Sequence, residues 1–428
     1  MKVTLPPYPV KESELVNIKE GDVRILAWIH DIKRDEKGTI ITLRDASCLR
    51  TLKLKSKNPL GKLTKESLIY IKGKLSGEEL VIDSYNILVK APEKLPVNID
   101  VLPKDPKVFA RYSYLLIRSP RYAKILKLQQ WIVHYAREFL YKEGFVELLS
   151  PMISPCSDPG LRGAKKLRTK LYGEEYELMS SVIMFKQSAV SAFEKVFFVA
   201  RNVREEPPEN CNTGRHLCEF TQIDIEWAFK GMYDVMRLCE KMLVYVISKL
   251  KKRHYDLLKE FNPDLEVPKT PFKILTYDEA VEELRKLGIE TPKGKELTQE
   301  GERKLSEVYG GPLWIVHYPT SSRGFYYMEE PTRPGYNRDF NLLLPKGYGE
   351  VVDGGEREYR YEKIVERIKF MGEDPARYKW FLELARIGIP PSAGFGLGVE
   401  RLTRYILSLE HIWEAVPFPK IPGIRYNS

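Results

Sequence analysis

The chain is 428 residues long, 43% hydrophobic and 30% charged, with a formal charge of +10 from 69 basic and 59 acidic side chains. That length accommodates two or three domains around real cores, and no stretch approaches the length of a membrane span. The basic excess fits a polyanionic partner such as RNA or a nucleotide, and it also fits a soluble, Lys/Glu-rich, thermostable surface. The five cysteines (Cys48, Cys156, Cys211, Cys218 and Cys239) show no CxxC or metal spacing, which fits an intracellular, reducing location. The N-terminus, MKVTLPPYPVKESEL, has no apolar core of the signal-peptide kind. The expected location is cytoplasmic, with no membrane partner.

Short apolar runs at 22–32, 38–45, 50–56, 68–75 and 79–90 are separated by turn signals. They predict a five-stranded barrel of the oligonucleotide-binding type, in a first domain of residues 1–95. Residues 96–119 are rich in proline and charge and read as a hinge or linker. A second domain, 120–428, opens with a helix over 121–144 closed by Gly144, then a strand over 145–151. Residues 196–203 and 220–227 read as two strands of a hairpin. Helices are expected at 232–261, 277–288 and 356–372, and strands at 313–319, 324–328 and 349–355. Residues 394–410 read as a strand turning into a helix. Hairpins and helices without a regular βαβ repeat predict an α+β catalytic domain, an antiparallel sheet flanked by helices. No GxxxxGK[ST] occurs, nor a GxGxxG after a strand, so neither a P-loop nor a Rossmann cradle is expected.

One stretch concentrates charge around a loop: 204-REEPPENCNTGRHLCEFTQIDIEW-227. The connection between the two strands is longer than a hairpin needs, and it carries Arg204, Glu206, Arg215, His216 and Glu219 before Phe220. Two further segments combine glycine with charge. In 350-EVVDGGERE-358, Glu350, Asp353, Glu356 and Arg357 surround paired glycines. In 394-GFGLGVERL-402, small residues lead into Arg401 at a helix start. Glycines there let a backbone or a flat ligand approach closely. Taken singly, each segment also reads as an ordinary charged surface.

With 144-GFVELLSP-151 ahead of them, these segments resemble, in order, the signature motifs of class II aminoacyl-tRNA synthetases. Motif one is similar to 144-GFVELLSP-151, motif two to 204-REE-206 through 215-RHLCEF-220, and motif three to 394-GFGLGVERL-402. A barrel ahead of the catalytic domain resembles the aspartate, asparagine and lysine subgroup. The segments 312–328, 347–358 and 415–423 look most like asparaginyl-tRNA synthetases. The resemblance implies ATP and Mg²⁺ as cofactors, asparagine or aspartate and tRNA as partners, and a homodimer built on motif one. It implies that Arg204 binds the α-phosphate and that Arg215 and His216 reach the β- and γ-phosphates. Phe220 and Arg401 would sandwich adenine, with Glu206 and Glu219 holding the adenine edge or orienting the arginines. Glu350 with Asp353 would coordinate Mg²⁺. Arg357, with Ser180 and Glu356, would meet the amino acid.

The pattern is broken in three places. Ile40 and Thr51 stand where the family's barrel carries a base-stacking Phe and a Gln. Ser180 and Ile183 replace glutamines around the amino-acid ammonium. Asp353 and Glu356 replace a Ser and a Gln, and Asn341 stands where an acidic residue is common. The segments 157–166, 179–187 and 219–226 also resemble an archaeal asparagine synthetase that makes aspartyl-adenylate and passes it to ammonia. The expected function is therefore ATP-dependent activation of asparagine (or aspartate) and transfer to tRNA, with asparagine synthetase and aspartyl-tRNA synthetase as alternatives.

Overall fold

The computed structural model describes residues 14–35, 38–56, 63–158, 160–161 and 163–425. Most of the N-terminal stretch read for a signal peptide lies outside the described residues, as does the centre of a lysine- and arginine-rich stretch, 50-RTLKLKSKNPLGKLTK-65. The chain divides into two compact units, Met1–Asn98 and Ile99–Ser428. Among the described residues no helix is long and apolar enough to cross a membrane.

In the first unit, β1 (Gly21–Asp35), β2 (Gly38–Arg44), β3 (Leu49–Ser56), β4 (Leu68–Ser76) and β5 (Glu79–Val89) close into a barrel in the order β1-β2-β3-β5-β4. Alternation decides its inside. Val23, Ile25, Ala27 and Ile29 of β1 meet Ile41, Leu43, Leu52, Leu54, Ile69 and Ile71 in one core. Ile40, Thr42 and Arg44 are less buried than the Ile41 and Leu43 between them. Thr42 and Thr51 face each other across β2 and β3, hydroxyl to hydroxyl at 3.1 Å. The basic stretch is partly neutralised: Lys55 pairs with Glu79 and Lys65 with Asp31, each at 2.7 Å. Arg50 donates to the carbonyls of Leu15 and Ile18.

The second unit begins inside the predicted linker. Pro106–Leu116 form helix α1, whose first turn is capped by the Asp105 side chain, and Phe109 packs edge-on against Tyr122. Next come α2 (Pro120–Lys142) and the two-residue strand β6 (Val146–Glu147). A small sheet follows, of β7 (Ile153–Ser154), β8 (Arg168–Leu171) and β9 (Glu174–Leu178). Helix α3 (Ile183–Phe193) leads into the hairpin β10 (Lys195–Val203) and β11 (Glu219–Ala228). Helices α4 (Met232–Arg253) and α5 (Tyr255–Leu258) precede β12 (Lys273–Thr276), α6 (Tyr277–Lys286) and α7 (Gln299–Val308). The chain then forms β13 (Leu313–Val316), β14 (Asp339–Leu344) and β15 (Gly349–Glu356). Helices α8 (Tyr361–Phe370) and α9 (Lys379–Ile387), strand β16 (Ser392–Gly398) and α10 (Val399–Ile406) follow.

The main sheet runs β12-β13-β14-β15-β16-β11-β10-β6. Neighbours from β13 to β10 are antiparallel, and the outer pairs β12–β13 and β10–β6 are parallel. One face buries Phe197, Ile223, Ile225, Phe340, Leu342, Phe395 and Leu397 with α2 and α4. The intervening residues point the other way, so Gln222, Asp224 and Glu226 share a face with Gly394, Gly396 and Gly398. That polar face is the floor of the site.

Several boundaries differ from expectation. Residues 324–328 are not a strand. Phe325, Tyr326 and Tyr327 sink into a cluster with α8 and α9, and Tyr327 keeps a single bridge to Arg357. Strand β15 runs through Glu356, which delays the next helix to Tyr361. The predicted helix 232–261 breaks at His254.

Candidate active site

A cavity of about 430 Å³ opens on the polar face of the sheet. Its floor exists because the glycines of β16 leave room beside β11. A side chain at Gly394 would collide with the Ile225 carbonyl and the Glu226 carboxylate. One at Gly396 would come within 2.8 Å of the Gln222 amide and 3.0 Å of Asp224.

At one end, Arg204 follows β10. Its guanidinium donates to the Ser180 carbonyl at 3.0 and 3.2 Å and lies 5.1 Å from the centre of the Phe220 ring. Arg401, in the first turn of α10, donates to the backbone carbonyl and the carboxylate of Glu350, each at 3.0 Å. The neighbouring Glu400 is buried and accepts the Thr221 N–H with both oxygens at 3.0 Å. Burial pushes its carboxyl up to about 7. Arg215 and His216 line the same cavity. Burial, then the charges of Arg401 and Arg215, push His216 down to about 3, so its imidazole is neutral.

At the other end are two buried ion pairs, of which Lys186, Asp224 and Arg357 line the cavity. Lys186, in α3, meets Asp224 at 3.2 Å and also donates to the carbonyls of Ile225 and Phe395. Burial pushes the Asp224 carboxyl up, against the pull of Lys186. Arg357 donates to both oxygens of Glu226, at 3.0 to 3.3 Å. Ser392 donates to the same carboxylate at 2.8 Å. The Arg357 guanidinium lies over Tyr327 at 5.1 Å, and its Nη1 is buried with no hydrogen-bond partner in the chain.

The model of the family described as tRNA synthetases class II (D, K and N) matches residues 105–422. The chain belongs to this family. It is 30% identical to the asparagine–tRNA ligase of Pyrococcus abyssi, covering 94% of this chain and 96% of that protein. It is 32% identical to the aspartate–tRNA(Asp/Asn) ligase of Archaeoglobus fulgidus, covering 93% and 95%. The asparaginyl-tRNA synthetase of Pyrococcus horikoshii, solved with asparaginyl-adenylate, superposes with a TM-score of 0.84 at 29% identity, covering 95% of this chain and 96% of that one.

The class II cavity gathers most of the residues expected from sequence: Arg204, Glu206, Arg215, His216, Phe220, Glu350, Asp353, Arg357 and Arg401 all line it. Three expected residues do other work. Glu356 is not in the cavity wall. It forms a two-point ion pair with Arg338 at 2.6 and 2.8 Å and accepts the Met232 N–H at the start of α4. Ser180 is buried, its hydroxyl bonded to Ser157 at 2.9 Å, and Ser181 reaches the cavity instead. Glu219 pairs with Arg201.

Asp353 lines the cavity, but its oxygens accept from Arg323 at 2.6 Å and from the Tyr327 hydroxyl. Arg323 also pairs with Asp339 at 3.0 Å and donates to Asn341 at 2.9 Å. The Asn341 amide in turn donates to Glu350 at 3.2 Å. Among the described residues, no three His, Cys, Asp or Glu side chains converge as a metal-binding group. Glu350 is held in the same way, by Arg401 at 3.0 Å and Asn341 at 3.2 Å, so each of the two carboxylates expected to hold Mg²⁺ has both oxygens engaged within the chain, and a cation here would keep water and phosphate as its other ligands.

Lys186, Asp224 and Glu226 are the functional candidates that the sequence reading missed. Their signal was present: the alternation of β11 puts Asp224 and Glu226 on the face opposite Ile223 and Ile225, next to the glycines of β16.

Proposed function

We propose that the protein activates asparagine with ATP to asparaginyl-adenylate and transfers it to tRNA. The observation that carries this reading is the buried Arg357–Glu226 pair. A side-chain amide needs both a donor and an acceptor. Arg357 Nη1 supplies an uncommitted donor, and the Glu226 carboxylate supplies the acceptor. An aspartate carboxylate there would add a third negative charge beside Glu226 and Asp224, whose charges Arg357 and Lys186 already balance, in a water-poor site. The acidic neighbours that decide the balance are therefore these two.

The remaining roles follow from placement. The amino-acid carboxylate attacks the α-phosphorus and pyrophosphate leaves; Arg204 faces the charge that develops there. Phe220 and Arg401 hold adenine between a ring and a guanidinium. Arg215 and neutral His216 receive the distal phosphates. Mg²⁺, held by Glu350, would neutralise phosphate charge. In the second step a terminal tRNA hydroxyl attacks the acyl carbon and AMP leaves. The protein contributes positioning and electrostatics throughout. The barrel is of the oligonucleotide-binding type, with its β1–β3 outer face toward tRNA. Ile40 and Thr51 offer no aromatic stack there, which leaves shape and backbone contacts. A homodimer is supported by the apolar groups around motif one, where Leu149 is 96% exposed beside Val146 and Met152.

ATP–pyrophosphate exchange, with each amino acid offered separately, tests this. Exchange with asparagine and not aspartate is expected. Exchange with aspartate alone would overturn the amide reading, and adding ammonia or tRNA would then separate asparagine synthetase from aspartyl ligase.

A further inference from the structure

We propose that Glu302, on helix α7, is a positioning residue for the distal phosphates of ATP, acting through Arg215. This rests on the ATP reading above. Arg215 belongs to the long connection between β10 and β11. Glu302 belongs to the segment between β12 and β13, which none of the three family motifs includes. The two meet at 2.9 Å, Arg215 Nη2 to Glu302 Oε2, with 8% and 6% of their surfaces exposed.

The guanidinium is fixed on a second side. A Cβ at Gly349 would fall 2.5 to 2.8 Å from Nη2, Cζ and Nη1, and Gly349 has φ +69°. Arg215 therefore lies flat against backbone that no other residue could supply without strain. Glu302 engages one terminal nitrogen only. Arg215 Nε and Nη1 are buried with no hydrogen-bond partner in the chain. Buried donors of a charged group left without an acceptor are costly, and Arg215 lines the cavity where an anion would satisfy them. Thr298 and Gln299, at the start of α7, line the same cavity. Thr298 caps that ten-residue helix by accepting the Gly301 N–H, so the helix end is ordered where phosphate would lie.

Glu302 is thus a clamp rather than a competitor: it spends one donor of Arg215 and aims the others. Without it the long side chain regains rotamer freedom that phosphate binding must then remove. Specificity follows as well. A ligand with no distal phosphate never reaches Arg215 and is indifferent to Glu302.

The test is calorimetric binding of ATP and of AMP to the full chain as wild type, Glu302→Gln, Arg215→Ala and the double variant. Glu302→Gln is expected to weaken ATP about 10-fold, the scale of one charge-assisted hydrogen bond, and to leave AMP unchanged. That unchanged AMP affinity also reports an intact fold. On the Arg215→Ala background the Glu302 change should add nothing. Unchanged or tighter ATP binding in Glu302→Gln, equal losses for ATP and AMP, or additive losses in the double variant would each overturn the inference. Absence of ATP binding in the wild type would overturn the ATP reading itself and the inference with it.

Discussion

Phe220 pairs with Asn202 across the β10–β11 hairpin, next to Thr221 whose N–H donates to the buried Glu400, and its ring lies beneath Arg204. Phe220→Ala should therefore weaken ATP by the worth of one stacked base, about 1–3 kcal/mol or roughly 5- to 150-fold. Asparagine binding should change less; equal losses for both ligands in calorimetry would mean that the fold had failed instead. His216 makes a pH prediction. An ordinary histidine takes its proton near pH 6.5, but burial with Arg401 and Arg215 holds His216 down to about 3. Between those values the unfolded chain accepts a proton that the folded chain refuses. Its contribution to stability is whole above pH 6.5 and is lost as pH falls toward 3. His216→Gln should flatten part of the acid decline in denaturant midpoint, and an unchanged slope would place that sensitivity elsewhere. At this scale the arginines were legible through the resemblance of their segments to family motifs, because taken singly each charged segment reads as ordinary surface. Lys186 was not. A lysine within 182-VIMFKQSAV-190 looks like the exposed edge of an apolar helix, and the sheet alone brings it to Asp224.

The hairpin of β10 and β11 holds nine cross-strand pairs from Lys195↔Trp227 to Val203↔Glu219, and β16 lies against it with three glycines on the cavity side. Those glycines are not equivalent. Gly394→Ala would drive a methyl into the Ile225 carbonyl of the next strand, so a loss of about 3 kcal/mol or more is expected in denaturant unfolding. Gly396→Ala meets the ends of two side chains, so stability should hold while nucleotide affinity falls. Equal destabilisation by both would refute the distinction. Strand period and turn residues made the barrel and the hairpin readable. Strand β14 was missed because all six of its residues are buried, which erases alternation. Residues 324–328 misled for the opposite reason: aromatic residues with strand propensity serve there as a buried loop under α8 and α9.

For the whole molecule, the order of the main sheet could not be read locally. Strand β16 separates β15 from β11 although it comes more than 160 residues after β11 in the chain. Burial of α1 in the second unit likewise overrides a linker-like composition. What composition and motif order did convey was one cavity assembled from three distant segments. The exposed Leu149 yields the prediction at this scale. Leu149→Glu should shift a sedimenting dimer toward monomer at micromolar concentration by placing charge in an apolar contact. An unaltered sedimentation coefficient would remove the motif-one surface as the interface.

The two ion pairs at the amino-acid end have a consequence for ionic strength. Mobile ions screen exposed charges beyond a Debye length of about 8–10 Å but scarcely enter a buried site. Lys186–Asp224 and Arg357–Glu226 are each internally neutral and almost wholly covered. The small amino acid should bind almost alike from about 50 to 200 mM salt, while tRNA, held through its phosphates, loses affinity steeply over the same range. In a cell whose salt fluctuates, this division would let amino-acid choice hold steady while the rate of tRNA capture rises and falls.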